Sequence, residues 1–206
     1  MSRRLGRKGG ESVAGPVLSA GEGIPAGYDV IKVHVGDLRQ LFNAMDPSPF
    51  RDRDLDPNAE EFIAGWAREL PSRARLALLV QIDRPGAADE PTLLHDAVRV
   101  FFSYRATTAR QRLRRLLSVG RRSLWIGVLF LAISIVVGGL LKRALAGREV
   151  GELLRESLLI GGWVAMWRPL EIFLYNWWPI LDEARLFDRL SAMPVRVDYP
   201  RAPALP

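Results

Sequence analysis

Residues 124–141 read LWIGVLFLAISIVVGGLL, eighteen positions without a charge. As a helix rising about 1.5 Å per residue, the run is roughly 27 Å long, close to the hydrocarbon thickness of a bilayer. Trp125 stands near one end, where an indole suits the membrane–water interface, and Lys142 and Arg143 close the other. Length and basic flanks predict a membrane-spanning helix rather than the buried helix of a soluble protein. The fold class follows: an α+β membrane protein, with a small soluble α+β domain followed by a two-helix transmembrane hairpin, within 206 residues.

The flanks set the orientation. No Asp or Glu occurs from Arg99 to Arg148, and Arg105, Arg110, Arg112, Arg114, Arg115, Arg121 and Arg122 precede the apolar run. A net charge of +6 raises the question of nucleic acid. A basic block abutting an apolar run fits an anionic membrane surface better, so Arg110, Arg112, Arg114, Arg115, Arg121 and Arg122 are assigned to lipid headgroups and nucleic acid is set aside. The block outweighs the basic residues of the 142–155 connection, and only Lys and Arg count in the positive-inside rule. The expected location is the bacterial inner membrane with the N-terminus in the cytoplasm. Arg185, Arg189 and Arg196 after the second apolar region predict a cytoplasmic C-terminus.

That second region contains GWVAMWRPLEIFLYNWWPI, residues 162–180. Counted along a straight helix from Ser157, Arg168 falls roughly 16 Å deep, near the bilayer midplane, where an Arg costs about 2.5–3.5 kcal/mol. Glu171 shares its helix face at i+3 and Tyr175 at i+7, with Gly161 and Ala165 preceding it. A stripe of small and polar residues in lipid seeks another helix. Its expected partner is the first span, where Gly127, Gly138 and Gly139 permit close approach, or another subunit. Pro169 removes the donor to the Ala165 carbonyl and predicts a kink. The working arrangement is a kinked span from about Ser157 to Trp178 with the Arg168–Glu171 pair inside. The alternative begins near Val150, ends at Trp167 and leaves Arg168 at the cytoplasmic interface. It puts Glu152, Arg155 and Glu156 at the outer end, and Trp167, Tyr175, Trp177 and Trp178 at interface depth.

The soluble part is read from periodicity. Residues 1–27, rich in Gly, Ala and Ser with a basic start, are expected to be a disordered tail. In YDVIKVHVGD, Ile31, Val33 and Val35 alternate with Lys32 and His34, which predicts a half-buried strand with His34 exposed. Asp37 caps a short helix through Leu38, Leu41 and Phe42. Asp56-Pro57 starts another helix, with Phe62, Ile63, Trp66 and Leu70 as its packing face. The apolar run 76–82 predicts a buried strand, and Thr92 opens a long helix. The domain should span 28–105, followed by a basic juxtamembrane helix (106–122), the hairpin (123–181) and a C-terminal helix and tail (182–206). Two strands make a marginal sheet. Val195, Val197 and Tyr199 alternate with Arg196 and Asp198, so this segment is either a third strand or an extended tail.

The sequence offers little chemistry. No cysteine is present, which removes thiol nucleophiles and thiolate metal sites, and the two histidines, His34 and His95, leave no His-rich metal set. The loop DPSPFRDRDLD, residues 46–56, gathers Asp46, Asp52, Asp54 and Asp56, but Arg51 and Arg53 lie among them and the EF-hand spacing is missing. It reads as a Pro-rich turn with capping carboxylates, and Asp46, Phe50, Arg51, Asp52 and Asp54 form a candidate interaction loop. No phosphate loop, nucleophile elbow or HExxH occurs, so no cofactor or catalytic set is assigned.

The segments DPSPFRDRDLD, AEEFIAGWA and WRPLEIFLYNWWPI resemble a family of small bacterial two-span membrane proteins of uncharacterised function. The resemblance covers most of residues 30–195. It implies two spans and a cytoplasmic domain, and no activity. Three functions fit: a membrane-anchored adaptor or assembly subunit binding a protein partner, an oligomeric transport or channel subunit using Arg168, Glu171 and Tyr175, or an enzyme using the acidic residues of 46–56.

Overall fold

The computed structural model describes residues 24–49, 53–84, 90–145 and 149–199. Its strands are β1 (Tyr28–Val35), β2 (Arg75–Ile82) and β3 (Val195–Asp198). Its helices are α1 (Pro57–Glu69), α2 (Glu90–Ala144), α3 (Glu149–Glu171) and α4 (Trp177–Ser191), with a 3-10 turn at Leu38–Leu41 and a π-helical turn at Ile172–Asn176. The chain divides into two compact units, one formed by the residues up to Tyr104 with those from Leu186 onward, the other by Arg105–Arg185.

In the first unit the sheet order is β1-β2-β3 and both pairings are parallel. Ile31 stands opposite Leu78, and Leu78 opposite Val195. A central strand of a parallel sheet is covered on both faces and needs apolar residues at successive positions. This is why RLALLVQI lacks alternation: Leu76, Ala77, Leu78, Val80 and Ile82 are all buried. β1, at an edge, keeps the alternation, with Ile31 buried and Lys32 and His34 exposed. The exposed His34 ring lies 2.8 Å from Asp83 Oδ1, just past the end of β2.

Parallel strands require crossovers. From β1 to β2 the crossover is α1. It starts at Asp56, whose carboxylate accepts from the Asn58 N–H, and at Pro57 in the first turn. Its packing face differs from the expected one. Ile63, Ala64 and Ala67 are buried, whereas Phe62 and Trp66 are 46 % and 50 % exposed. The small alanines suit close approach to β1, and the rings are turned out by the helical rotation.

From β2 to β3 the crossover leaves the first unit and comes back. The start of α2 contributes the buried Leu94, Ala97, Val98, Phe101 and Phe102, and the end of α4 contributes Leu186, Phe187 and Leu190. Phe102 and Phe187 stack with ring centroids 6.1 Å apart. Arg189 Nη2 donates to the carbonyls of Pro71 and Ala74, both at 3.1 Å, fastening the returning helix to the turn before β2. The carbonyl of Pro194 then accepts from Leu78 N at 2.9 Å, and β3 follows. The C-terminal segment is therefore a strand of the sheet, settling the choice between strand and tail.

The second unit holds the apolar helices. α2 and the α3–α4 run are both long and apolar enough to cross a membrane, and only 17 % of the most apolar window of each is buried.

Candidate functional site: the helical seam around Arg168

The second unit is built on a seam of small residues. On α2 the buried positions Gly120, Gly127 and Ser134 recur every seven residues, with Gly138 one turn on. A seven-residue repeat keeps one face toward an antiparallel neighbour, and small residues at its centre bring the backbones close. A Cβ at Gly120 would lie 2.8 Å from Ile172, and one at Gly127 would lie 2.9 Å from Met166 Sδ and 3.2 Å from the Ala165 carbonyl oxygen. A Cβ at Gly162 would lie 2.6 Å from Leu131 and 3.6 Å from Ser134 Cβ, and one at Gly138 would lie 3.2 Å from Arg155. Near the turn, Gly151 faces Leu145.

These contacts fix the register, and the register relocates Arg168. Gly127 faces Ala165 and Gly120 faces Ile172, so Arg168 stands level with about Ser123 and Leu124. That is the charged beginning of the first apolar run, beside Arg121 and Arg122, and not its middle. The stretch of α3 facing 124–141 is roughly 151–168, the pairing that a span from Val150 to Trp167 would use. Charges near the start of α3 are partly compensated: Lys142 Nζ at the end of α2 donates to Glu152 Oε1 at 3.0 Å.

Arg168 and Glu171 do pair. Nη1 donates to Oε2 at 3.0 Å, with the two side chains 68 % and 37 % exposed. The stripe through them meets α2 at Ala165 but not along its length. A Cβ at Gly161 or Gly139 would meet nothing within 4 Å, and Tyr175 is 69 % exposed. The α3 positions buried on the seam are Gly151, Gly162 and Pro169. Sequence reasoning chose Gly161 over Gly162, a rotation of one residue. Of the expected packing residues, Gly127, Gly138 and Ala165 lie in the seam; Gly139 and Gly161 do not.

Pro169 stays within α3, and the irregularity comes just after it, in the π-helical turn. There the Trp177 indole Nε1 donates to the Phe173 carbonyl at 2.8 Å. A π turn interrupts the i→i−4 ladder, and a side-chain donor can serve the carbonyl so displaced. A groove of about 290 Å³ opens beside the seam, lined by Ser123, Ile126, Gly127, Phe130, Ala165, Arg168 and Pro169. The basic residues Arg112, Arg114, Arg115, Arg121 and Arg122 lie exposed on α2; Arg110 is exposed too and takes part in further interactions.

In the 42–56 loop, Phe50, Arg51 and Asp52 lie outside the described residues. Phe42 and Leu55 form a β-bridge that closes the loop, and Asp56 N donates to the Leu41 carbonyl. Asp46 is spent on the backbone: Oδ2 accepts from Asp54 N at 2.8 Å and Oδ1 from Ser48 N at 2.9 Å. The Asp54 N–H, with further bonds from Ser48, holds its carboxyl at about 2, below the ordinary 3.8. Asp54 contributes its N–H and its carbonyl, which accepts from Asn43 N. Among the described residues no group of three His, Cys, Asp or Glu side chains is placed to hold a metal ion.

Comparison of the chain with protein-family models, with curated proteins and with solved structures finds no match.

Proposed function

We propose that the chain is a two-span, membrane-anchored adaptor of the bacterial inner membrane, with both termini cytoplasmic, whose sheet-bearing unit recruits a protein partner. Support for the anchor comes from the apolar faces of α2 and α3, which point away from their own seam and have no cover. Support for an even number of crossings comes from the β2–β3 pairing. The chain enters the apolar excursion after β2 and returns to lie beside it, so both ends belong on one side of the membrane. The basic block before the first span favours the cytoplasmic side.

The observation that carries the recruiting role is the outward face of α1. Phe62 and Trp66 lie with ring centroids 6.3 Å apart, in a shallow surface groove bordered by Asn58, Glu61, Gly65 and Glu69. Aromatic side chains held half out of the core, with carboxylates and no cation among the described lining residues, match a partner segment bearing Arg or Lys, through cation–π contact and ion pairing. The test places a photo-crosslinking residue at position 62 or 66, and at Met45, which is 93 % exposed, as a control. One polypeptide bearing a basic segment, joined from 62 and 66 and not from 45, is the expected result. Adducts identical from all three positions, or none from 62 and 66, would remove the recruiting role.

A further inference from the structure

We propose that the groove beside the α2–α3 seam binds one anionic phospholipid, with its phosphate at Ser123, Arg122 and Arg168 and an acyl chain running past Ile126 and Phe130. The inference rests on the membrane reading and adds to it a discrete lipid site.

Polarity is ordered along the groove. Ser123 and Arg168 line one end and Ile126 and Phe130 the other. Along α2 the order is Ser123, Ile126, Gly127, Phe130, leading from the basic block into the uncharged run. A phospholipid lying in the cytoplasmic leaflet has the same order, phosphate first and acyl chain deeper. Arg122 does not itself line the groove, but it stands four residues before Ile126 and eight before Phe130, so it continues their strip of α2, next to Ser123 at the polar end. Gly127 has no side chain, so α3 closes against α2 at Ala165 and Met166 and backs the groove beside Ile126.

The donors suit a phosphodiester. Arg168 uses Nη1 on Glu171, and among the described residues no protein group takes its remaining N–H donors. A guanidinium carries five such donors, so the ion pair orients the group without exhausting it. Ser123, at the same end, makes no hydrogen bond among the described residues through its hydroxyl. Arg122 and Arg168 against Glu171 leave one net positive charge, which matches one phosphodiester. A soluble phosphate would meet the same donors, but the apolar floor would gain nothing from it, whereas an acyl chain buries against Ile126, Phe130 and Pro169.

The test uses the full chain, extracted from membranes and reconstituted in nanodiscs made of equal parts phosphatidylglycerol and phosphatidylcholine. Native mass spectrometry after release counts the lipids retained. The expected result is one phosphatidylglycerol held in preference to phosphatidylcholine, a preference falling about tenfold in Arg168→Gln and in Arg122→Gln, each removing charge-assisted hydrogen bonds. Arg112→Gln, in the basic block away from the groove, should leave it unchanged. Arg122→Gln does not touch the Glu171 pair, so it decides the matter if Arg168→Gln fails to accumulate. Inorganic phosphate should not compete; competition at equal strength would identify a simple anion site and overturn the lipid. No preference, or equal loss in Arg112→Gln, would also overturn it. Alkaline carbonate washing of the same membranes is the separate check. A chain that stays in the pellet but holds no phosphatidylglycerol leaves the membrane reading intact and ends this one; a chain that washes off ends both.

Discussion

Gly127 of α2 stands against the carbonyl of Ala165, the group that Pro169 deprives of its usual helical donor. A Cβ at Gly127 would sit 3.2 Å from that oxygen. A hydrogen at that position leaves the carbonyl its space, while a methyl group would crowd it. A glycine of α2 and the carbonyl left without a donor by the proline of α3 thus meet at one point of the seam.

Gly127→Ala should therefore destabilise the hairpin by about 1–3 kcal/mol, since its strain falls on backbone as well as on the flexible Met166. Gly139→Ala is the matched control: nothing lies within 4 Å of a Cβ there, and the better helix propensity should be neutral or stabilising by up to about 1 kcal/mol. Unfolding of the reconstituted protein by denaturant measures both. Equal effects at the two positions would argue against the seam.

The returning C-terminus should be indispensable to the first unit. Arg189→Ala takes the Arg189 donor from the Ala74 carbonyl and leaves the Pro71 carbonyl only the Ala74 N–H, and should cost about 1–3 kcal/mol. Leu190→Ala, at a fully buried site, should cost about 2–5 kcal/mol. Deleting 194–206 uncovers the edge of β2 and should abolish the cooperative melt of this unit. A truncated chain melting like the full one would mean that β3 contributes no stability.

Asp46 gives a pH dependence with a definite sign. Its folded value, about 2, lies below the ordinary 3.8, so the carboxylate favours the folded loop above the ordinary value. That contribution drains away as pH falls from about 4 toward 2. Hydrogen exchange at the Ser48 and Asp54 amides should quicken relative to the rest of the first unit over this window. In Asp46→Ala the same amides should exchange quickly at every pH. Protection that stays flat through the window in the natural chain would count against the capping role.

Much of the first unit was legible. The alternation in YDVIKVHV, the unbroken run around Leu78 and the Asp56-Pro57 start each follow from one local rule, and the structure has an element at each. The errors came where two elements had to be matched. Hydrophobicity puts Phe62 and Trp66 in a core, but the shape of the contact with β1 selected Ala64 and Ala67. Counting from Ser157 places Arg168 along one helix, but which α2 residues it faces depends on how the two helices pair, and single-helix periodicity carries no information about that. The same ambiguity chose Gly161 over Gly162, adjacent glycines of equal composition on different faces. The π turn had no signal beyond the nearby Pro169.

Because the sequence contains no cysteine, the register has a clean test. The Cβ position at Gly162 lies 3.6 Å from Ser134 Cβ, within the span that a disulfide bridges. Ser134→Cys with Gly162→Cys should form an intramolecular disulfide in membranes under mild oxidant, seen as a mobility shift reversed by reductant. Ser134→Cys with Met166→Cys, one turn along, should not. Were Arg168 opposite the middle of the first run, the facing positions would move about two turns along α3, and the pair at 134 and 162 would not close efficiently. The same register carries a prediction for the ion pair. The two side chains are 68 % and 37 % exposed, so water and salt should weaken the attraction, and Arg168→Ala and Glu171→Ala should couple by less than about 1 kcal/mol in a double-mutant cycle. Coupling well above that, together with failure of the disulfide between positions 134 and 162 to form, would return the pair to the bilayer interior.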